Sequence, residues 1–557
     1  MLTKEVSCVF VNKIQVPSLR KAFVQDDKQV SWLIVFQFKC KFVSNIFSLK
    51  NKSSILFAVL VWSLLLVRFG YRFGTGDHVE YLPYVLYLQD HSLYAHDFFV
   101  QSLSAKVPNE RSVVCEFLSL FGNHLEAVCF LLQFISTVFL ILGLQKLGEV
   151  ITGNITVTRI AILVNFFLLF DRGLGNVELY SDAVQASSMS VAIIAFALYY
   201  FFKNRFIHAA VLMSIASIIH PVEGLTVYMV LWATLFAITF FGKSENRITL
   251  VKFTGIYLLS AGVFIAILLH GKLDGTALPS KTFFRIYHEF RHAHHYVFSY
   301  MPMVEKFLFV FFTAVLFLFG SNKKILWFGI FSAAGTLVYI LCSDSLHIPQ
   351  ITNLQFYKVS QWVKFMAVLV LVKTVCNFLP KKFTFNWKAS FNLPLVSVVA
   401  VSVLLVIMFK PSFTERPGIF HEYGNDWKTK EDVVEISLQI DKQINKEAVF
   451  IQPFKCTELK YFGRVSSWVD WKAFVKDESK IEEWYNRVQM VYGISLDDKE
   501  KGFALEPKAN DYFYHMPKIQ LELLKQKGVT HILTQKEFPP ATGTLILSNN
   551  TYAVYQL

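Results

Sequence analysis

Long apolar runs set the first constraint on this chain. Stretches near 54–70, 127–147, 153–170, 186–202, 207–220, 221–242, 252–270, 304–320, 325–342, 362–379 and 392–410 carry few charges. Several reach about seventeen or more apolar residues, the length at which a segment reads as a membrane span rather than a buried core helix. The pattern predicts about eleven spans, two of them short, with a tight reversal at Pro221. Composition agrees. The chain is 54% hydrophobic, 16% aromatic and 17% charged, whereas an ordinary soluble domain carries about 25% charged residues. The expected fold class is an all-α polytopic membrane protein.

The net charge of +13 raises nucleic acid as a partner, but its distribution argues against that. No soluble stretch interleaves Lys and Arg with stacking aromatics. The positive charge sits in short connections, such as those holding Lys203 and Arg205, Lys243 and Arg247, or Lys323 and Lys324. The loops on the other side are longer (71–126, 171–185, 271–303 and 343–361) and mix both signs. Basic loops face the cytoplasm, so the N-terminus is expected inside and the long loops outside. Chains that spend residues on one face usually work there. Seven scattered cysteines give neither a metal-ligand spacing nor a disulfide framework.

Three regions result. Residues 1–53 read as an interfacial or poorly ordered extension without a cleavable signal peptide, 54–410 as the transmembrane domain, and 411–557 as a soluble domain beyond a Pro-containing linker. In the last region "EDVVEISLQIDKQI" and "SKIEEWYNRVQMVYG" have helical spacing. "EAVFIQPF", "THILTQ", "TLILS" and "YAVYQL" read as short strands. A small α/β domain is expected there.

Five polar clusters fall on the expected outer face. The first is "GDHVE", with Asp77, His78 and Glu80, followed by Asp97. On a helix Asp77 and Glu80 would share a face. A carboxylate at the lipid boundary accepts a proton from a hydroxyl or helps hold a divalent cation; a self-solvating loop helix is the plainer alternative. The second cluster, "DRGLGNVELYSD", holds Arg172 and Glu178, and a polar turn explains it equally well. The third, "IIHPVEG", puts His220 and Glu223 at membrane level, which is costly unless they face a partner or a cavity. The fourth, "RIYHEFRHAHHY", would line His288, His292 and His295 along one helix face with Arg285 a turn before. That face suits a phosphate better than zinc, because no carboxylate or cysteine completes a ligand set. The fifth leads into the tenth span with Lys358 and Lys364, which suit lipid phosphate or simple snorkelling.

The acidic motif after the first span, the long first outer loop, about eleven spans and a C-terminal outer domain together resemble the GT-C superfamily of integral membrane glycosyltransferases. More narrowly, "GTGDHVEYLPYVLYLQDHSLYAHDFF", "HPVEG", "FRHAHHY" and "WVDWK…EEWYNRVQMVYG" are similar to an uncharacterised bacterial GT-C-like family. That family's pattern has an acidic G-(N/D)-H-x-E opening, a His-Pro turn and an Arg-His-Pro-His-His segment; Ala293 stands here in place of the proline. The resemblance covers most of residues 54–557. It implies transfer of a sugar from a polyprenyl-phosphate donor to a glycan, lipid or protein acceptor, at the outer face of a bacterial inner membrane. It further implies Asp77, then Glu80, as the catalytic carboxylate, and Arg285, Arg291, His292, His294, His295 and Lys358 as donor-phosphate ligands. His78, Asp97, Arg172, Glu178, His220 and Glu223 are the remaining outer-cavity candidates. A magnesium or manganese requirement is left open, and no metal set is named. The alternative is an inactive GT-C-like scaffold or a transporter-like protein; clean spans and the lack of an internal repeat speak against transport.

Overall fold

The computed structural model describes residues 52–74, 76–169, 172–242, 246–273, 280–320, 322–378, 432–475 and 477–557. The expected extension, the eleventh span near 392–410 and the boundary near 411 lie outside the described residues, apart from Lys52 and Ser53. One compact unit runs from Ala58 to Leu557, and it holds both the helical domain and the C-terminal domain.

The other ten expected spans coincide with helices. They are Lys52–Phe69, Leu125–Thr152, Ile155–Leu163, Ala186–Phe202, Phe206–Ile219, Pro221–Phe240, Arg247–Tyr257 with its continuation Val263–Leu273, Met303–Phe319, Lys323–Ile340 and Ser360–Phe378. Among the described residues, six helices are long and apolar enough to cross a membrane, and three further apolar helices are shorter. The chain is a multi-pass membrane protein, largely α-helical, with a small C-terminal sheet domain.

The burial pattern matches a lipid solvent. Large apolar side chains such as Leu259 and Leu318 face outward, while Gln133, Ser217 and Thr226 are buried. Inside hydrocarbon a polar group must find a protein partner, and these do. Gln133 accepts from Trp62 Nε1 at 2.9 Å and donates to Tyr180 Oη at 3.1 Å. Ser217 Oγ and Tyr257 Oη lie 2.8 Å apart. Pro221 opens its helix at the position where a missing N–H costs nothing, and His220 Nδ1 caps it by accepting from Glu223 N at 3.1 Å.

The C-terminal domain is a five-stranded sheet of order β2-β1-β3-β5-β4. Its strands are β1 Val449–Ile451, β2 Ser466–Ser467, β3 His531–Gln535, β4 Thr544–Ser548 and β5 Tyr552–Gln556. β1 pairs parallel with β2 and β3, which requires helical crossovers, while β3, β5 and β4 are antiparallel. The helix Asp432–Gln443 lays Val433, Val434, Ile436 and Ile440 on the same core as Phe450, Leu533 and Val554.

The long loop 71–126, the segment 283–297 and the C-terminal domain share one apolar core, which runs from Tyr84 and Phe99 through Tyr287 and Phe290 to Trp471 and Trp484. A buried ion pair fixes that union. Asp97 Oδ2 and Lys460 Nζ lie 2.9 Å apart, with side chains 0% and 1% exposed. The same carboxylate caps the helix Phe98–Ser104 through Val100 N and accepts from Ser467 N at 2.9 Å. Tyr94 Oη donates to Lys460 O at 2.7 Å. Close approach matters as well: Gly74 has φ +74°, and a Cβ there would meet the Phe462 ring at 2.5 Å. Asp97, expected as an outer-cavity residue, is therefore part of this sealed joint.

Removing one partner of a buried pair leaves the other charge uncompensated, at a cost of about 3–5 kcal/mol. Asp97→Asn is expected to lower the thermal midpoint of the detergent-purified protein sharply. An unchanged midpoint contradicts the joint as drawn.

Candidate functional site

Four apolar helices end around one cavity. Arg68 and Phe69 close the first span, Asn165 and Phe166 the third, Gln185 opens the fourth, and Gln361 and Lys364 open the tenth. With the loop residues 172–183, the Gly76–Asp77 turn and Lys472 of the C-terminal domain, they enclose about 420 Å³. Five cationic side chains (Arg68, Arg72, Arg172, Lys364 and Lys472) face three carboxylates (Asp77, Glu178 and Asp182).

Asp77 stands on the short 3-10 helix Gly76–Glu80. Its carboxylate contacts the Lys472 ammonium and accepts from Gln185 Nε2 at 2.6 Å, and it keeps 42% of its exposure. Gln185 is itself oriented, because its Oε1 takes the Ser187 hydroxyl at 3.1 Å. Burial alone would raise the Asp77 pKa; the Lys472 ammonium outweighs it, with help from His295 and Gln185, and brings it to about 2. The loop beneath is pinned by His78. Its Nδ1 accepts from Gly74 N at 3.1 Å, so Nε2 carries the proton that is given to Val184 O at 3.0 Å. Burial brings the His78 pKa down to about 4. His78 is a neutral strut.

Glu80 parts from Asp77. Its carboxylate is taken by the Arg111 guanidinium, which is almost sealed from water and also meets Glu110 at 3.0 Å. The reason is electrostatic, since a buried guanidinium needs counter-charges and Glu80 is within reach.

The Arg-His segment also differs from the single helix face that spacing suggests. Residues Arg285–Arg291 form a wide π turn, and a new short helix, Ala293–Tyr296, begins after His292. Arg285 turns out to Asp497 at 2.9 Å. His288 is buried and meets Asn353 Oδ1 at 2.9 Å. His292 packs on Tyr287 and Phe474. His294 stacks near His295, whose Nδ1 donates to Gly175 O at 2.9 Å. Burial drives the pKa of His294 to about 2 and that of His295 to about 4. Both imidazoles are neutral near pH 7, which suits them poorly to hold a phosphate by charge.

Arg291 is 1% exposed and donates through Nε to Trp471 O at 2.8 Å and through an Nη to Lys472 O at 3.3 Å. Lys358 lies 3.2 Å from Glu223, which also accepts from Gln361 Nε2. That buried group settles the polar turn His220–Glu223 without bringing it into the cavity lining.

Of the residues singled out from sequence, the cavity gathers Asp77, Arg172, Glu178 and Lys364. It does not gather Glu80, His78, Asp97, His220, Glu223, Arg285, Arg291, His292, His294, His295 or Lys358. It adds Arg72, which meets Asp182 at 2.9 Å, together with Arg68, Gln185 and Lys472. Arg172 is exposed and has no ion-pair partner among the described residues. The amide oxygens of Asn165 and Gln361 are buried and unpartnered, ready to accept from hydroxyls. Among the described residues no three His, Cys, Asp or Glu side chains converge as a metal-ligand set. At Asp77 the nearest counter-charge is the Lys472 ammonium.

A family described as a domain of unknown function, DUF6798, matches residues 431–491, the stretch that contains Asp470–Lys472. No curated protein matches the chain. Among solved structures, ArnT from Cupriavidus metallidurans bound to undecaprenyl phosphate is similar at 12% identity and a TM-score of 0.47, over 91% of this chain and 98% of that one. The Archaeoglobus fulgidus oligosaccharyltransferase, tethered to an acceptor peptide, is similar at 11% identity and a TM-score of 0.42, over 88% and 70%.

The histidines predict a pH dependence. The unfolded chain protonates His78 below its ordinary 6.5, whereas the folded chain refuses the proton down to about 4. Stability is therefore lost as pH falls through that window, and His295 adds to the loss in the same direction. His78→Gln keeps one donor and one acceptor without titrating, and should flatten the fall. Thermal midpoints between about pH 7.5 and 4.5 give the comparison; equal slopes in both proteins argue against His78 as the source.

Proposed function

We propose that the chain is a membrane glycosyltransferase that moves a sugar from a polyprenyl-phosphate donor to an acceptor at the extracytoplasmic face of a bacterial inner membrane. The observation that carries this reading is the cavity itself. A half-exposed carboxylate, a surplus of cations and unpartnered amide oxygens meet where four spans end. A lipid-borne substrate reaches such a level from the bilayer, and a water-borne acceptor reaches it from beneath the C-terminal domain.

Each part has work in such a reaction. The departing polyprenyl phosphate develops negative charge, which Arg172, Arg72 and Lys364 are placed to stabilise in a site partly shielded from water. The acceptor hydroxyl loses a proton as it attacks, and Asp77 is the carboxylate within the cavity that can take it. Asn165 and Gln361 offer acceptors for sugar hydroxyls. The sequence resemblance to the GT-C superfamily, whose first-loop acidic residue matches Asp77, supports the same assignment. The short basic loops face inside, as the charge rule has it.

Asp77→Asn should reduce transfer by about 10²–10⁴-fold while leaving the protein folded and inserted. Arg172→Gln should weaken binding of polyprenyl phosphate about tenfold, the scale of a charged hydrogen bond, and leave binding of the uncharged polyprenol unchanged. Native mass spectrometry of the purified protein with each lipid reads the second effect. A deletion strain compared with wild type for a missing glycan reads the first. Full transfer by Asp77→Asn sinks its role as base, and equal binding of phosphate and alcohol sinks the phosphate site.

A further inference from the structure

The stretch matched as a domain of unknown function delivers one side chain into the cavity. Lys472 stands on a tight tip whose shape is fixed several times over. Asp470 Oδ1 accepts from Lys472 N at 2.7 Å and from Ala473 N at 2.8 Å, and Asp470 O accepts from Trp484 Nε1 at 3.1 Å. Trp471 is fully buried and stacks on Phe454. From the membrane side the Arg291 guanidinium grips both carbonyls of the tip, Trp471 O and Lys472 O. It lies 5.0 Å from the Trp471 ring and 5.1 Å from the Phe503 ring. The Lys472 side chain then leaves the tip and ends on Asp77.

We propose that the C-terminal domain completes the transfer site: Lys472 is the cation that sets the charge of Asp77, and Arg291 is the residue that positions it. This rests on the reading of the cavity as the site of transfer and deepens it. Arg291 stands outside the cavity lining; it acts on Asp77 as a further positive charge at a distance and by holding the Lys472 tip in place. Besides Lys472 the carboxylate is touched by the neutral Gln185 amide, and the nearby His295 imidazole is neutral near pH 7, adding its charge only as pH falls toward about 4. Lys472 is therefore the counter-charge that touches Asp77. A lysine suits this role, since its flexible stem lets one ammonium serve the carboxylate and an incoming phosphate in turn.

The test reads Asp77 directly and needs no sugar donor. A water-soluble carbodiimide with an amine nucleophile modifies carboxyls in their protonated form, and peptide mass spectrometry reports the extent at Asp77. In the full-length protein in detergent, Asp77 should label slowly at about pH 5, because its pKa lies near 2. Lys472→Gln should raise the rate on the order of tenfold or more as the carboxyl returns toward its ordinary range, while Lys472→Arg should stay slow. Arg291→Gln should accelerate Asp77 labelling in the same direction, and should add less in the Lys472→Gln background than in the wild type. Labelling unchanged by Lys472→Gln overturns the proposal. Labelling unchanged by Arg291→Gln in a folded protein returns Arg291 to a purely structural part; should that variant not fold, the two Lys472 variants decide the main point. Because none of these readings measures transfer, loss of the glycosyltransferase assignment and loss of the Lys472–Asp77 coupling are seen separately.

Discussion

The Asp97–Lys460 pair is the interaction on which the rest of the outer half depends. A fully buried carboxylate and ammonium are tolerated only when each is well satisfied. Here the carboxylate meets its lysine, a helix N-terminus and the Ser467 amide at once. Those partners come from the first outer loop and from the C-terminal domain. The pair therefore does more than add stability, because it sets a register between two parts of the chain more than three hundred residues apart. Once that register is set, the aromatic core around Trp471 and Trp484 can close, and the Lys472 tip can face the membrane.

The same joint explains why the cavity holds so much charge without collapsing. Its cations are anchored on different elements: Arg68 on a span, Arg72 and Arg172 on loops, Lys364 on another span and Lys472 on the soluble domain. Two of them meet a carboxylate of the cavity, Arg72 on Asp182 and Lys472 on Asp77. Arg111 with Glu80 and Lys358 with Glu223 pair outside the cavity lining, where an unpaired buried charge costs most. Pairing outside the cavity thus separates the struts of this face from the site.

That sorting marks the limit of what the sequence discloses. The spans were legible because apolar length is a local property, and ten of the expected runs lie on described helices. In the C-terminal domain four of the five strands and two of the five described α-helices were legible for the same reason, through alternation and helical spacing; the two-residue strand Ser466–Ser467 and the shorter helices were too brief to show a period. The cluster 285–295 was visible as unusual, yet its histidines mostly hold the fold, because a π turn at Arg285–Arg291 breaks the helical face that spacing implies. Spacing did not distinguish Asp77 from Glu80, the family resemblance ranked Asp77 first, and in the fold the distant Arg111 takes Glu80 out of the cavity. Lys472 lay in the family-like stretch "WVDWK" but carried no sign of a role at the site. One lysine in "WVDWKAF" is unremarkable until the fold brings it 395 positions back along the chain, to Asp77.

The partnership of Asp77 and Lys472 also bears on how a carboxylate could serve as a base. Held against an ammonium, Asp77 is ionised but a poor proton acceptor, since its pKa sits near 2. A base works best when its pKa lies close to the working pH. Anything that draws Lys472 away raises that pKa, and a phosphate arriving among Arg172, Arg72 and Lys364 is a stronger magnet for the ammonium than a single carboxylate. In the proposed reaction, donor binding would then also activate the base, and the carboxylate would stay quiet until the leaving group is in place.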